Sequence, residues 1–384
     1  MRIERLNIYK ISIPFTGDFS ISRLKGRSSN NVVVEVIADQ GEIRGYGEAI
    51  PVEFVTGETP ETALKSAGGF IRNSAFPWDL NDVSEIWAFV DVLPGCKEHN
   101  AAVCATEMAI LDALGKAQEM SVIEYFPQYF RAETVSYGAQ VTLGGKERVM
   151  ELCKLIKSLG INHLRIKMDG DFHRNRLAIE TVKKVFFDGC ELRIDPNCVW
   201  DRDLAFRHIP LIKEYNVKIV EEPMVRDSPD FPEFARIMRD NDIILMACES
   251  APTLEDVAGI FKENYYQMVN VKLSRSGGFR RTLKIVEYLR SHMIPFQIGC
   301  TIGESGILSA AGRTLCLLCK DAVYCDGSYD RFILKENTTN EDVSFGPGGE
   351  AGPLDGPGLG VEVSSEKLKR LCSDDSSSIT VSRP

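Results

Sequence analysis

Apolar and β-branched residues dominate two early stretches, Ile3 to Pro14 and Asn31 to Ile37. Gly41 and the triplet Gly45-Tyr46-Gly47 punctuate the next stretch, so the chain opens with strands joined by turns. From about Thr59 to Lys116 the spacing becomes helical. It is sharpest over Ala101 to Lys116, where small and apolar residues make a broad buried face and Gly115 marks a C-terminal stop. After about residue 133 short apolar runs alternate with longer amphipathic segments. The runs are 136–143, 163–167, 191–195, 217–221, 243–247, 268–272, 295–298 and 322–325, and the clearest helical patterns between them are 146–159, 174–186, 204–215 and 279–291. Strands alternating with helices pair in parallel. Eight such units predict a closed α/β barrel, with an open doubly wound sheet as the alternative. The chain beyond about residue 335 is rich in Gly and Pro. It carries one strand-like run, Gly360-Val361-Glu362-Val363, and residues 373–384 read as a frayed end.

Composition adds limits. The 384 residues suffice for two domains or for a barrel with additions, and 44% hydrophobic with 26% charged residues is ordinary for a soluble globular protein. A net charge of −10 argues against nucleic acid as a partner, without excluding an anionic ligand in a locally cationic cleft. No run reaches the roughly 18–20 apolar residues of a membrane span, and the start, Met1-Arg2-Ile3-Glu4-Arg5, lacks a secretory pattern. The 11 cysteines are scattered with no C-x-x-C unit, so reduced thiols in a cytoplasmic protein are expected, and zinc is not.

The chemistry lies at strand ends. Arg165-Ile166-Lys167, Asp195-Pro196-Asn197, Glu221-Glu222-Pro223, Cys248-Glu249-Ser250 and Lys272 close five consecutive strand candidates, 23 to 28 residues apart. In a parallel barrel those ends meet on one face. Asp195, Glu221 and Glu249 would make a cage of hard oxygens suited to Mg²⁺, with Mn²⁺ a workable substitute. Lys167 and Lys272, four strands apart, would face each other across a bound carboxylate. The cation would stabilise the enolate formed on proton loss and lower both lysine pKa values. Arg165, two residues before Lys167, points the same way. A Schiff-base barrel using either lysine is a second reading, but it leaves the three carboxylates without a role.

These residues resemble the enolase superfamily, in particular the mandelate racemase/muconate lactonising enzymes and their muconate cycloisomerase-like subgroup. R-I-K at 165–167 is similar to the subgroup's K-x-K motif, and D-P-N, E-E-P and V-N-V-K-L-S-R-S-G-G (269–278) match its metal-ligand and second-lysine segments. E-M-A-I-L-D-A-L-G-K (107–116) resembles the helix leading into the barrel, and G-P-G-L-G-V-E-V (356–363) the segment returning to the cap. The resemblance implies a modified (β/α)7β TIM-type barrel with an α+β capping domain from both chain ends. It would divide here into residues 1–132 (cap), 133–335 (barrel) and 336–384 (return to the cap). It implies catalytic Lys167 and Lys272, metal ligands Asp195, Glu221 and Glu249, and supporting Arg165, Asn197, Glu304 and Asp326. Cap loops near Thr16–Arg27 and Pro51–Thr59 would close over the substrate.

The expected activity is Mg²⁺-dependent abstraction of the proton α to a carboxylate. The enzyme would be a racemase, epimerase or cycloisomerase of an N-acyl amino acid, a dipeptide or a muconate. A β-eliminating enzyme similar to o-succinylbenzoate synthase and a catalytically impaired ligand-binding barrel are the alternatives. Barrels of this type often associate through outer helices, so a homo-oligomer is compatible with the reading.

The sequence departs from the subgroup at three places. Cys248 stands where an aspartate ligand is usual, so Glu249 is expected to take over. Arg165 replaces a lysine and cannot serve as a base. The eighth strand reads Tyr324-Cys325-Asp326 where dipeptide epimerases carry a D-x-D that holds the substrate ammonium. Glu304 is expected either beside the second lysine or as an N-terminal helix cap.

Overall fold

A computed structural model describes residues 1–20, 25–129, 131–187, 189–372 and 377–384. Part of the expected cap loop 16–27 lies outside them. The N-terminal residues form an antiparallel sheet from β1 (Ile3–Ser20), β2 (Lys25–Ala38) and β3 (Ile43–Ala49). The chain end, expected to fray, instead supplies β14 (Ser378–Ser382). It lies antiparallel on β1 with Arg5 opposite Ser382 and Tyr9 opposite Ser378, giving the order β14-β1-β2-β3. Ile379 and Val381 alternate with polar residues there, and Val381 is buried; this period of two lets even a short polar segment cover the free edge of β1.

The helix Asn100–Ala117 packs on β3 with its alanines facing the two glycines. A Cβ at Gly47 would stand 2.1 Å from the Ala105 carbonyl oxygen, and one at Gly45 2.3 Å from that of Ala109. The sheet therefore approaches helix backbone rather than side chains. Gly47→Ala should destabilise the fold by more than about 2 kcal/mol, read as a lowered denaturation midpoint, because the obstructing atoms are backbone and cannot rotate away.

β4 (Val135–Ser136) pairs with β13 (Glu350–Ala351), and β5 (Ala139–Val141) starts the barrel. It is followed by β6 (His163–Lys167), β7 (Glu191–Asp195), β8 (Ile219–Glu221), β9 (Ile244–Ala247), β10 (Met268–Lys272), β11 (Phe296–Gly299) and β12 (Tyr324–Cys325). All eight pair in parallel in chain order. A parallel bridge between Tyr137 and Cys325, with the Gly138 N–H on the Cys325 carbonyl at 2.8 Å, closes the ring. Long helices fill the connections, from Lys146–Ser158 to Gly306–Leu318, and no long helix follows β12 among the described residues: the (β/α)7β arrangement. The expected strand at 360–363 is a single bridge, Thr339 to Val363. That segment is fixed instead by Asp112, which accepts the Leu359 N–H at 2.8 Å. No described helix is long and apolar enough to cross a membrane.

Two buried glutamates hold helix starts, Glu58 within the cap and Glu107 from the cap across to the barrel. Glu58 accepts the Ala101 and Ala102 N–H groups at 2.6 and 3.1 Å, and Glu107 those of Phe279 and Arg280 at 2.5 and 2.8 Å. Each carboxylate thus meets the positive end of a helix. Burial outweighs those hydrogen bonds and pushes Glu58 up to about 7 and Glu107 up to about 8. Unfolded, both would lose their protons at the ordinary, lower glutamate value. Their contribution is therefore complete below that value and is lost as pH rises through about 7 and 8. The melting temperature should fall across that window, and Glu107→Gln should flatten the fall.

Candidate active site

The C-terminal ends of β6 to β10 bring the charged residues together. Alternation on β6 turns Arg165 and Lys167 to the same face, both buried. Lys167 Nζ donates to Asp195 Oδ2 at 2.5 Å and to Asn197 Oδ1 at 3.0 Å. Arg165 Nη1 donates to Glu221 Oε2 at 3.0 Å and lies 3.9 Å from Asp195, while its Nη2 reaches Gln140 at 2.9 Å. Glu221 Oε1 accepts from Asn270 Nδ2 at 2.7 Å. Lys272 ends β10 and is buried. β6 and β10 are four positions apart in the ring of eight, so the two lysines belong to opposite walls.

The electrostatics reflect this packing. Burial, with Glu221 beside it, holds Asp195 above the ordinary carboxylate value despite Lys167 and Arg165. Burial works against the Glu221 charge as well, but Arg165, Lys272 and Lys167 hold its carboxyl well below that value. Burial disfavours the Lys272 ammonium, yet Glu221 and Glu249 keep its pKa above the usual lysine value. The expected lowering of this lysine therefore requires that a cation offset the carboxylates around it.

Glu249 accepts one hydrogen bond: Asn197 Nδ2 reaches its Oε1 at 2.9 Å, and its Oε2 is buried without a hydrogen-bond partner. Cys248 is buried beside it, and its sulfur accepts from Arg275 Nη1 at 2.9 Å. Burial pushes that thiol well above its ordinary pKa, so it stays protonated and is no ligand for a hard cation.

Among the described residues, the three thiol or acidic groups whose ligand atoms lie within 4.8 Å of one another are Cys198, Glu222 and Glu249. The trio Asp195, Glu221 and Glu249 is more open, because Lys167 and Arg165 engage the first two and Glu249 is turned to Asn197. Glu222 has little left to offer a metal. It accepts the Cys248 and Ser250 N–H groups at 2.7 and 2.8 Å, the Ser250 hydroxyl at 3.1 Å and the Tyr266 hydroxyl at 2.9 Å, and so pins the turn after β9. Asp195 and Glu221 keep unused lone pairs on hard oxygens, and Glu249 Oε2 has no partner. The chemistry of this donor set, three carboxylates with free oxygen lone pairs, fits Mg²⁺.

Two further expectations have structural answers. Glu304 does not cap the helix Gly306–Leu318. That role falls to Glu48 of the cap, which accepts the Ser305 and Leu308 N–H groups at 3.1 and 2.9 Å. Glu304 instead accepts the Thr301 N–H at 2.6 Å, and burial pushes it up to about 8, with Glu48 adding to the rise and Lys272 opposing it. Asp326, at the end of β12, is buried against Arg193 and Arg165. Arg193, Asn270 and Arg275 were not anticipated. A signal existed for the first two: in E-L-R-I-D and M-V-N-V-K each stands two residues before a site residue and so shares its face.

A family model described as enolase C-terminal domain-like matches residues 147–367. The chain belongs to the enolase superfamily. It is 23% identical over 376 residues to an N-succinyl-L-Arg/Lys racemase of Bacillus cereus, covering 97% of this chain and 98% of the relative. It is 24% identical over 317 residues to a hydrophobic dipeptide epimerase of Enterococcus faecalis, covering 81% and 86%. The crystal structure of a Cytophaga hutchinsonii dipeptide epimerase, in complex with Mg and D-Ala-L-Val, superposes with a TM-score of 0.83 at 22% identity over 99% of this chain and 100% of the other. These relatives are isomerases, and this superfamily member has their barrel and cap.

Proposed function

We propose that the protein is a Mg²⁺-dependent racemase or epimerase that removes the proton α to a carboxylate on one face and delivers another proton to the opposite face. The observation that carries this reading is the pair of buried amines, Lys167 and Lys272, on opposite barrel walls with Asp195 and Glu221 set at the strand ends between them. One lysine must be neutral to accept the proton and the other an ammonium to deliver one. Asp195 and Asn197 fix the Lys167 amine through two hydrogen bonds, which sets the direction from which it meets a Cα–H. Lys272, on the opposite wall, would deliver a proton to the other face as an ammonium. Asp195, Glu221 and Glu249 would hold Mg²⁺, which when bound supplies Lewis-acid stabilisation of the substrate carboxylate as it gains charge. The Mg-containing relative and the racemase and epimerase relatives support the reading.

The test is incubation with N-acyl amino acids, dipeptides and muconates in D₂O. Deuterium should appear at the α-carbon of recovered substrate with Mg²⁺ and not after chelation. A folded protein that exchanges none of them would favour a second reading, for which Cys248 at the usual ligand position is the specific observation: a barrel that binds a carboxylate without turning it over.

A further inference from the structure

Cys316-Leu317-Leu318-Cys319 is a C-x-x-C unit, which corrects the expectation of none, and Cys325 follows six residues after Cys319. The fold brings Cys316 and Cys325 together. Cys316 lies in the last turn of the helix Gly306–Leu318 and is buried, while Cys325 ends β12 and is half-buried. Alternation along β12 turns Tyr324, whose ring lies under Arg193, into the barrel and Cys325 outward to that helix. There the Cys316 and Cys325 thiols share a hydrogen bond. The Cys316 sulfur is also held from behind. Tyr137 donates to it, and Arg313 Nε donates to the Tyr137 oxygen at 2.9 Å. Cys319 is engaged elsewhere, its sulfur accepting from Arg290.

A cavity of about 170 Å³ opens beside the pair, with all three sulfur-bearing residues in its wall. Exposed Ser136, His163 and Lys320 stand at its mouth, so a molecule of about the size of water can enter from solvent. It meets Cys325 first, because Cys316 is the more deeply buried of the two. Burial also pushes the Cys316 thiol well above its ordinary pKa, which makes it a poor first nucleophile. Among the described residues the three sulfurs are not gathered closely enough to hold a metal ion. What the arrangement offers is one reachable thiol with a second thiol in contact behind it, the pattern of an attacking and a resolving cysteine.

We propose that Cys316 and Cys325 are a redox-active pair that hydrogen peroxide, entering through this cavity, converts to a reversible disulfide. The Cys325 thiolate attacks one peroxide oxygen and the O–O bond breaks. Cys325 is then a sulfenic acid, and the displaced hydroxide takes up the proton that Cys325 gave up and leaves as water. The Cys316 sulfur next displaces the sulfenic hydroxyl, which leaves as water with the Cys316 proton. Two thiols and one peroxide thus give one disulfide and two waters. The bond ties the last turn of the helix Gly306–Leu318 to β12, the strand whose bridge to Tyr137 closes the ring. It uses neither lysine and none of the metal-site carboxylates, so it stands apart from the activity proposed above.

The test treats the folded full chain with hydrogen peroxide, blocks the remaining thiols with N-ethylmaleimide and reads the tryptic peptides by mass spectrometry. Cleavage after Arg313, Lys320 and Arg331 leaves Cys316 and Cys319 together in peptide 314–320 and Cys325 in peptide 321–331. The two peptides should be joined after peroxide and released by dithiothreitol, and the link should persist in Cys319→Ser. Peptides that stay separate, a bond between Cys316 and Cys319 inside one peptide, or a link lost from a folded Cys319→Ser protein would overturn the proposal. In Cys316→Ser the reaction should stop at the Cys325 sulfenic acid, captured by dimedone. A folded Cys316→Ser protein without that adduct would refute the order of the two steps. Should that variant fail to fold, Cys325→Ser reads the same point: Cys316 should stay unoxidised there, and its oxidation would contradict entry by way of Cys325. The wild-type peptide map decides the pairing whatever the variants do.

Discussion

Lys272→Ala should abolish turnover while leaving the protein folded, with kcat for α-proton exchange falling by at least about 10³, within the range for loss of a positioned acid or base. The side chain ends β10 among Glu221, Glu249 and Cys248, and the hydrogen-bond network around it runs through Asn270 and Arg275 rather than through its amine. Its removal therefore takes away the proton carrier of one face more than it disturbs the barrel. A two-base site makes a sharper statement. With one enantiomer as substrate, Lys272→Ala should lose the step that needs a group on that wall. Lys167→Ala, on the other wall, should show the opposite stereochemical defect. Single-turnover measurement with each enantiomer reads both. Equal residual rates for the two enantiomers in both variants would mean that the lysines do not divide the faces.

Glu221→Gln should have the second large effect, on metal affinity and stability together. The carboxylate accepts from Arg165 on one oxygen and Asn270 on the other, and its charge is held in place by Arg165, Lys272 and Lys167 against the cost of burial. The amide cannot balance the buried guanidinium, so a loss of about 3 kcal/mol or more in unfolding free energy is expected. It would also remove one of the three proposed oxygen donors, and Mg²⁺ affinity should fall by more than about 100-fold, beyond what loss of a merely supporting residue produces. Chemical denaturation and Mn²⁺ titration of the same preparation separate the two. Lower stability with unchanged metal affinity would make Glu221 a structural partner of Arg165 alone.

Much of the barrel was legible in the chain because its geometry repeats. The strands 163–167, 191–195 and 268–272 were bounded to the residue, since in each an alternation of apolar with polar residues ends at a charged group. What stayed hidden depends on contacts distant in sequence. Ser378–Ser382 carries only a brief alternation of Ile379 and Val381 among polar residues, and the partner that makes it a strand, β1, lies more than 360 residues earlier. Glu48 caps a helix that starts more than 250 residues later, so the nearby Glu304 was the natural candidate for a role it does not have. Arg193 was passed over for a different reason. An arginine inside a strand reads as an exposed residue, and only the closed barrel reveals that it faces Asp326 across the interior.

Asp195, Glu221 and Glu249 should gather around one divalent cation. Mn²⁺ binding followed by electron paramagnetic resonance tests it directly, on the wild type and on Asp195→Asn and Cys198→Ala. One ion should bind per chain, displaced by Mg²⁺, lost in Asp195→Asn and kept in Cys198→Ala. No bound ion, or an ion that survives Asp195→Asn and disappears with Cys198→Ala, would contradict it and move the centre to the Cys198, Glu222 and Glu249 group.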